Sequence, residues 1–161
     1  MNHYTVGLLT IATGRYIEFL PDLYASIDKN FLKNNQLKCY LFTDNIEAAA
    51  KMIPATSDRL DYYFFQIERY GFPGDTLFRY RHFSSLDGRL TEKQLDKPDY
   101  LFYSDADMAI VDEVGHEILP EEKVGLVATA HPGFYRGRTP QHPLGTPETR
   151  TESKAFISPS R

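Results

Sequence analysis

Asp105 and Asp107, two carboxylates one residue apart, are the pair in this chain best suited to chemistry. They follow the largely apolar run Asp99 to Ser104, DYLFYS, and so emerge together where a strand ends. Two hard oxygen donors at such a place suit Mg²⁺ or Mn²⁺, which bind through one or two carboxylates and complete their shell with waters and substrate phosphates. An ion held there neutralises charge building on a departing diphosphate. With twelve aspartates in 161 residues, a D-x-D arises roughly once by chance, so the assignment rests on the position at a strand end. The alternative is an acidic turn solvated by water.

Other residue types fit the same chemistry. Arg79 and Arg81 sit one residue apart on a helical stretch, point to different faces, and so allow one of them at most to reach a diphosphate. Arg81 is the one expected at an ordinary exposed surface. Thr13-Gly14-Arg15-Tyr16 follows the first apolar run; Gly14 permits close backbone approach and Tyr16 offers a stacking face for a nucleotide. His131 precedes Pro132-Gly133-Phe134-Tyr135, whose aromatic rings can stack on a sugar, although a lone histidine is more often structural.

These residues need a frame. Tyr4 to Ala12, YTVGLLTIA, is almost entirely apolar and β-rich, which predicts a central strand buried on both faces. Ile17, Leu20, Tyr24, Ile27 and Phe31 recur at helical spacing, with Pro21 placed where only a first turn must accommodate it. Strands are expected over Leu37 to Thr43, closed by Asp44-Asn45, over Asp61 to Ile67, over Asp99 to Ser104, and over Lys123 to Ala130, ending at His131. A turn at Gly71-Phe72-Pro73-Gly74 precedes a helix that Asp75 or Thr76 caps and that carries Leu77, Phe78, Phe83, Leu86 and Leu90. The alternation predicts an α/β sandwich with its ligand site at the carboxyl ends of the strands.

The chain is one domain by length and composition, with 42% hydrophobic residues. A formal charge of -4 argues against a general nucleic-acid binder, because phosphate contacts need a basic surface. The single cysteine, Cys39, lies in an apolar run and reads as a buried small hydrophobe, which leaves no disulfide framework. From residue 132 to residue 161 hydrophobic periodicity stops, five of the ten prolines gather, and the charge turns basic, as expected of a flexible tail or of a basic flap beside an acidic site. No run approaches the ~20 apolar residues of a transmembrane helix. The expected location is the cytoplasm of a bacterium or of a phage-infected cell, with a lumenal fragment as the alternative.

Taken in order, VGLLTIATGRYIEFL, YLFTDN, DYLFYSDADMAIVDEVGHEIL and TAHPGFY resemble glycosyltransferase family 6, which includes histo-blood-group A and B transferases, α-1,3-galactosyltransferases and bacterial and phage relatives. The resemblance runs from Val6 to Ile157. It implies a GT-A fold, Rossmann-like and incomplete at its C-terminus. It further implies retaining transfer of galactose or N-acetylgalactosamine from UDP-galactose or UDP-N-acetylgalactosamine to an oligosaccharide acceptor in α-1,3 linkage. By position, Ile11, Ala12, Thr13 and Tyr16 would hold uracil and ribose, with Ile11 standing where the vertebrate enzymes have an aromatic residue. Arg79 would lie near the diphosphate, Asp105-Ala106-Asp107 would hold Mn²⁺ or Mg²⁺, and His131 would contact the acceptor. Ser153 to Ile157, SKAFI, resembles the segment before the family's mobile loop. The family's tryptophan-containing stretch, with the glutamate proposed as nucleophile, has no counterpart here, since the sequence holds no tryptophan. Retention calls for a carboxylate below the sugar. Glu113, Glu117, Glu121 and Glu122 lie too near the metal strand to be assigned that role, and the nucleophile is unassigned. A truncated UDP-sugar- and metal-binding remnant without transfer activity is the alternative function.

Overall fold

The run VGLLTI carries no charge and has apolar or β-branched side chains everywhere except Gly7, so it is most stable with both faces covered. In the computed structural model, which describes residues 4–53 and 57–120, it forms β1, Val6–Ile11. β2, Leu37–Thr43, and β3, Leu60–Gln66, lie on one flank of β1, and β4, Tyr100–Tyr103, lies on the other. All pairings are parallel and the order is β3-β2-β1-β4. Leu9 is in register with both Tyr40 and Tyr103. The chain walks outward from β1 to β3 and then crosses to the far side of β1 for β4, so strand order reverses between β1 and β4. At such a reversal the connections leave in opposite directions and open a crevice at the carboxyl ends of the two strands.

A 3₁₀ turn over Gly14–Phe19 leads into α1, Leu20–Asn30, with Pro21 in the first turn, where a missing N–H costs no helical bond. The expected periodicity holds: Leu20, Tyr24 and Ile27 are buried, while Ile17 falls in the 3₁₀ turn and Phe31 closes the helix. Asp44-Asn45 does more than close β2. Asn45 starts α2, Ile46–Met52, its side-chain oxygen accepting the Ala48 N–H at 3.0 Å.

The single helix expected after the Gly71 to Gly74 turn is three short ones: α3, Gly74–Leu77; α4, Arg79–Ser84; and α5, Leu86–Glu92. Side chains compete for the carbonyls that a continuous helix would use. Arg79 Nε donates to the Thr76 carbonyl, and the Ser84 and Ser85 hydroxyls donate to the carbonyls of Arg81 and His82. Nor do Asp75 or Thr76 cap. Pro73 occupies the N-cap position with no side-chain cap bond, and the Asp75 carboxylate is used elsewhere.

Alternation along the strands sorts two cores. Val6, Leu8, Leu37, Cys39 and Leu41 pack with α1, whereas Leu9, Tyr40, Phe42 and Phe65 pack with Leu86 and Leu90 of α5. Cys39 is fully buried, and desolvation pushes its thiol well above the ordinary range, in keeping with a small core hydrophobe.

Arg59, to which the sequence reading gave no role, closes the C-terminal end of α1. Nη2 donates to the carbonyls of Ile27, Asp28 and Phe31 at 2.8, 2.9 and 2.9 Å, and Nη1 to those of Leu32 and Asn35 at 3.2 and 3.0 Å. Nε pairs with Asp28 Oδ1 at 2.9 Å. Among them the Asp28 carbonyl is one that the end of a helix leaves without a helical partner, while those of Ile27 and Leu32 also accept the N–H groups of Phe31 and Asn35. The strand expected over 123–130, His131 and the stretch over 132–161 lie outside the described residues. Among the described residues, no helix is long and apolar enough to cross a membrane.

Candidate functional site

A cleft of about 240 Å³ opens where β1 and β4 end, at the reversal of strand order. Ile11 and Thr13 line it from the end of β1, and Tyr16 from the 3₁₀ turn that follows. Tyr103, Asp105, Ala106 and Asp107 line it from the end of β4, and Phe72, Asp75, Thr76 and Arg79 from the α3–α4 side. The fold thus brings Ile11, Thr13, Tyr16, Arg79, Asp105, Ala106 and Asp107, far apart in sequence, to one place. Ala12 is absent from the lining; it is fully buried in the α1 core. Arg81 is also absent and is exposed, so one arginine of the pair faces the cleft.

Each wall is held by specific bonds. Gly14 takes a positive φ of 54°, and its N–H donates to Asp44 Oδ1 at 2.9 Å. The close approach that Gly14 permits is that of the Arg69 guanidinium, which a Cβ at this position would meet at 2.5 Å. Thr13 Oγ1 donates to Asp75 Oδ2 at 2.6 Å, and Asp75 Oδ1 accepts the Tyr70 N–H at 2.8 Å. Asp75 therefore ties the turn after β1 to the segment that carries Phe72.

At the other wall the Tyr103 phenol donates to Asp105 Oδ1. Burial, and then the Asp105 carboxylate, raise the Tyr103 hydroxyl well above its usual range, so it stays a protonated donor at neutral pH. Arg79 stands over the Tyr103 ring, its guanidinium carbon 5.0 Å from the centroid, and Nη1 is 3.6 Å from Asp105 Oδ1. The Arg79 side chain is 19% exposed and that of Asp105 45% exposed, so the pair is half-open to the cleft.

Among the described residues, no group of three or more His, Cys, Asp or Glu side chains gathers into a metal cage. Asp105 and Asp107 instead present two carboxylates beside a cationic side chain and an open cleft. That donor set fits a hard divalent cation whose remaining ligands are water and phosphate oxygens.

Compared with known proteins, all of residues 1–161 match the profile of glycosyltransferase family 6. The chain belongs to glycosyltransferase family 6. This family 6 chain is similar to globoside alpha-1,3-N-acetylgalactosaminyltransferase 1 of Gallus gallus, 28% identical over 95% of the chain and 41% of that relative. It is also similar to histo-blood group ABO system transferase 2 of Rattus norvegicus, 30% identical over 95% of the chain and 42% of the relative. A third relative is the O-antigen biosynthesis glycosyltransferase WbnI of Escherichia coli, 26% identical over 80% of the chain and 50% of that protein. The family 6 chain spans about two-fifths of the length of the first two. Its parallel sheet, with a cleft at the reversal of strand order, accords with the Rossmann-like GT-A architecture.

Phe72, Asp75, Thr76 and Tyr103 line the cleft although the sequence marks none of them as a site residue, Asp75 and Thr76 being expected only as helix caps. Tyr103 sits in an apolar run and reads as core, yet it precedes Asp105 by two positions, the spacing that returns a side chain to the same side of a strand. Asp75, after Pro73-Gly74, imitates a helix cap. His131 is the one predicted contact residue that lies outside the described residues.

Proposed function

We propose that this chain forms the donor-phosphate part of a retaining α-1,3-glycosyltransferase that takes galactose or N-acetylgalactosamine from the corresponding UDP-sugar and passes it to an oligosaccharide acceptor. One observation carries the reading: Arg79, Asp105 and Asp107 converge with Ile11, Thr13 and Tyr16 on a single cleft at the reversal of strand order. Ile11 and Tyr16 offer an apolar surface and a half-exposed ring for a nucleobase, and Thr13 offers a hydroxyl beside it. Asp105 and Asp107 would hold Mn²⁺ or Mg²⁺, which when bound stabilises negative charge on the leaving diphosphate. Arg79 adds a guanidinium on the same side, suited to phosphate oxygens.

A retaining transfer uses a carboxylate below the sugar ring. Asp75, the remaining carboxylate in the lining, has both oxygens engaged by the Thr13 hydroxyl and the Tyr70 N–H and is assigned to positioning. The likeness to transferases whose names specify α-1,3 linkage supports that linkage here.

The test is transfer with separate UDP-galactose and UDP-N-acetylgalactosamine, Mn²⁺ and a panel of oligosaccharide acceptors, with the product linkage read by NMR. An α-1,3 product from one of these donors is expected. A β-linked product, or donor hydrolysis without transfer, contradicts the proposal.

A further inference from the structure

Tyr103 is at once a donor to Asp105, a seat for Arg79 and part of the cleft wall. An arginine and an aspartate facing each other across a half-open cleft ordinarily close to a charge-assisted contact near 2.8 Å, commonly bidentate. Here they do not close. Arg79 Nη1 remains 3.6 Å from Asp105 Oδ1, and that same oxygen accepts the Tyr103 phenol. The guanidinium lies against the face of the Tyr103 ring, and its Nε is committed to the Thr76 carbonyl at 2.9 Å. Tyr103 is in register with Leu9 of β1, and its ring packs against that of Phe83 from α4, with centroids 5.1 Å apart.

We propose that Tyr103 is a positioning residue that holds Asp105 and Arg79 apart, so that the carboxylate and the guanidinium remain available to a cation and a diphosphate instead of neutralising each other. Its two parts act separately: the phenol occupies Oδ1, and the ring face seats the guanidinium. This inference rests on the donor-phosphate reading of the cleft.

The experiment is calorimetric titration of UDP, with and without Mn²⁺, into the wild-type chain, Tyr103→Phe, Arg79→Ala and the double variant, with a thermal melt of each. Tyr103→Phe keeps the ring and loses the phenol. It should weaken Mn²⁺-dependent UDP binding about tenfold at an unchanged melting temperature, the size expected for losing a hydrogen bond to a charged group. In the Arg79→Ala background no guanidinium is left to hold off, so the same change should cost much less, giving a non-additive cycle. Tyr103→Phe binding as tightly as wild type overturns the inference while the donor-phosphate reading stands. Weaker binding with a matching loss of melting temperature, or a fully additive cycle, also overturns it, because either marks a packing role. A wild-type chain that does not bind UDP removes the parent reading and this one together.

Discussion

Two arginines divide the work of this domain, and their surroundings differ in kind. Arg59 spends its guanidinium on the fold: five backbone carbonyls and the Asp28 carboxylate take its donors, and its side chain is 17% exposed. Arg79 is about as buried, at 19%, yet gives one bond to a carbonyl, rests on the Tyr103 ring and stops 3.6 Å short of Asp105. Burial alone does not separate a structural arginine from one proposed to bind a ligand. What separates them is how many donors are already used, because a guanidinium bonded to backbone on every side has nothing to offer a ligand, whereas one with spare donors facing a cleft does.

The largest effect should come from Arg59→Ala. It removes a donor from five carbonyls around the end of α1, of which only those of Ile27 and Leu32 keep a backbone N–H, and it should cost about 3 kcal/mol in urea unfolding, since buried acceptors left without donors bear their full desolvation cost. Arg59→Lys should recover only part of this, because an ammonium cannot reproduce a planar fork bonded along two edges. Equal stability of Arg59→Ala and wild type would contradict the structural role of Arg59. Arg79→Ala tests the other end: UDP binding in Mn²⁺ should weaken about tenfold or more while the urea midpoint hardly moves, as for loss of a charged contact made chiefly with ligand.

Smaller changes sharpen the same contrast. Asn45→Ala removes a single cap bond at α2 and should cost about 1 kcal/mol, well below Arg59→Ala. Lys51→Ala breaks the exposed pair with Glu47 and should cost less than ~0.5 kcal/mol in the same unfolding assay, because water already screens both charges. A larger loss than that of Asn45→Ala would show that the surface of α2 does more than the geometry allows.

The four strands of the described residues were legible because each is a compact, largely apolar run, and the observed bounds of β2 match the expected ones. The cleft was legible in part for the same reason: Asp105 and Asp107 follow such a run, so their place at a strand end could be read without coordinates. The break of one expected helix into α3, α4 and α5 was not, because it depends on Arg79, Ser84 and Ser85 taking backbone carbonyls, a competition that hydrophobic spacing does not record. Asp75 and Arg59 escaped for a related reason. Their partners, Thr13 and the end of α1, are distant in sequence and become neighbours only once the sheet has formed. Tyr103 was hidden by its company of aromatic and aliphatic residues, although its distance of two positions from Asp105 was a usable signal.

UDP binding is proposed to depend on a divalent cation held by Asp105 and Asp107. This dependence is tested most directly by calorimetric titration of UDP in the presence of Mn²⁺ with wild type, Asp105→Asn and Asp107→Asn. Wild type is expected to bind UDP, to lose that binding when the metal is chelated, and to bind at least about tenfold more tightly than either variant. Equal affinity in all three, with or without Mn²⁺, would contradict that dependence.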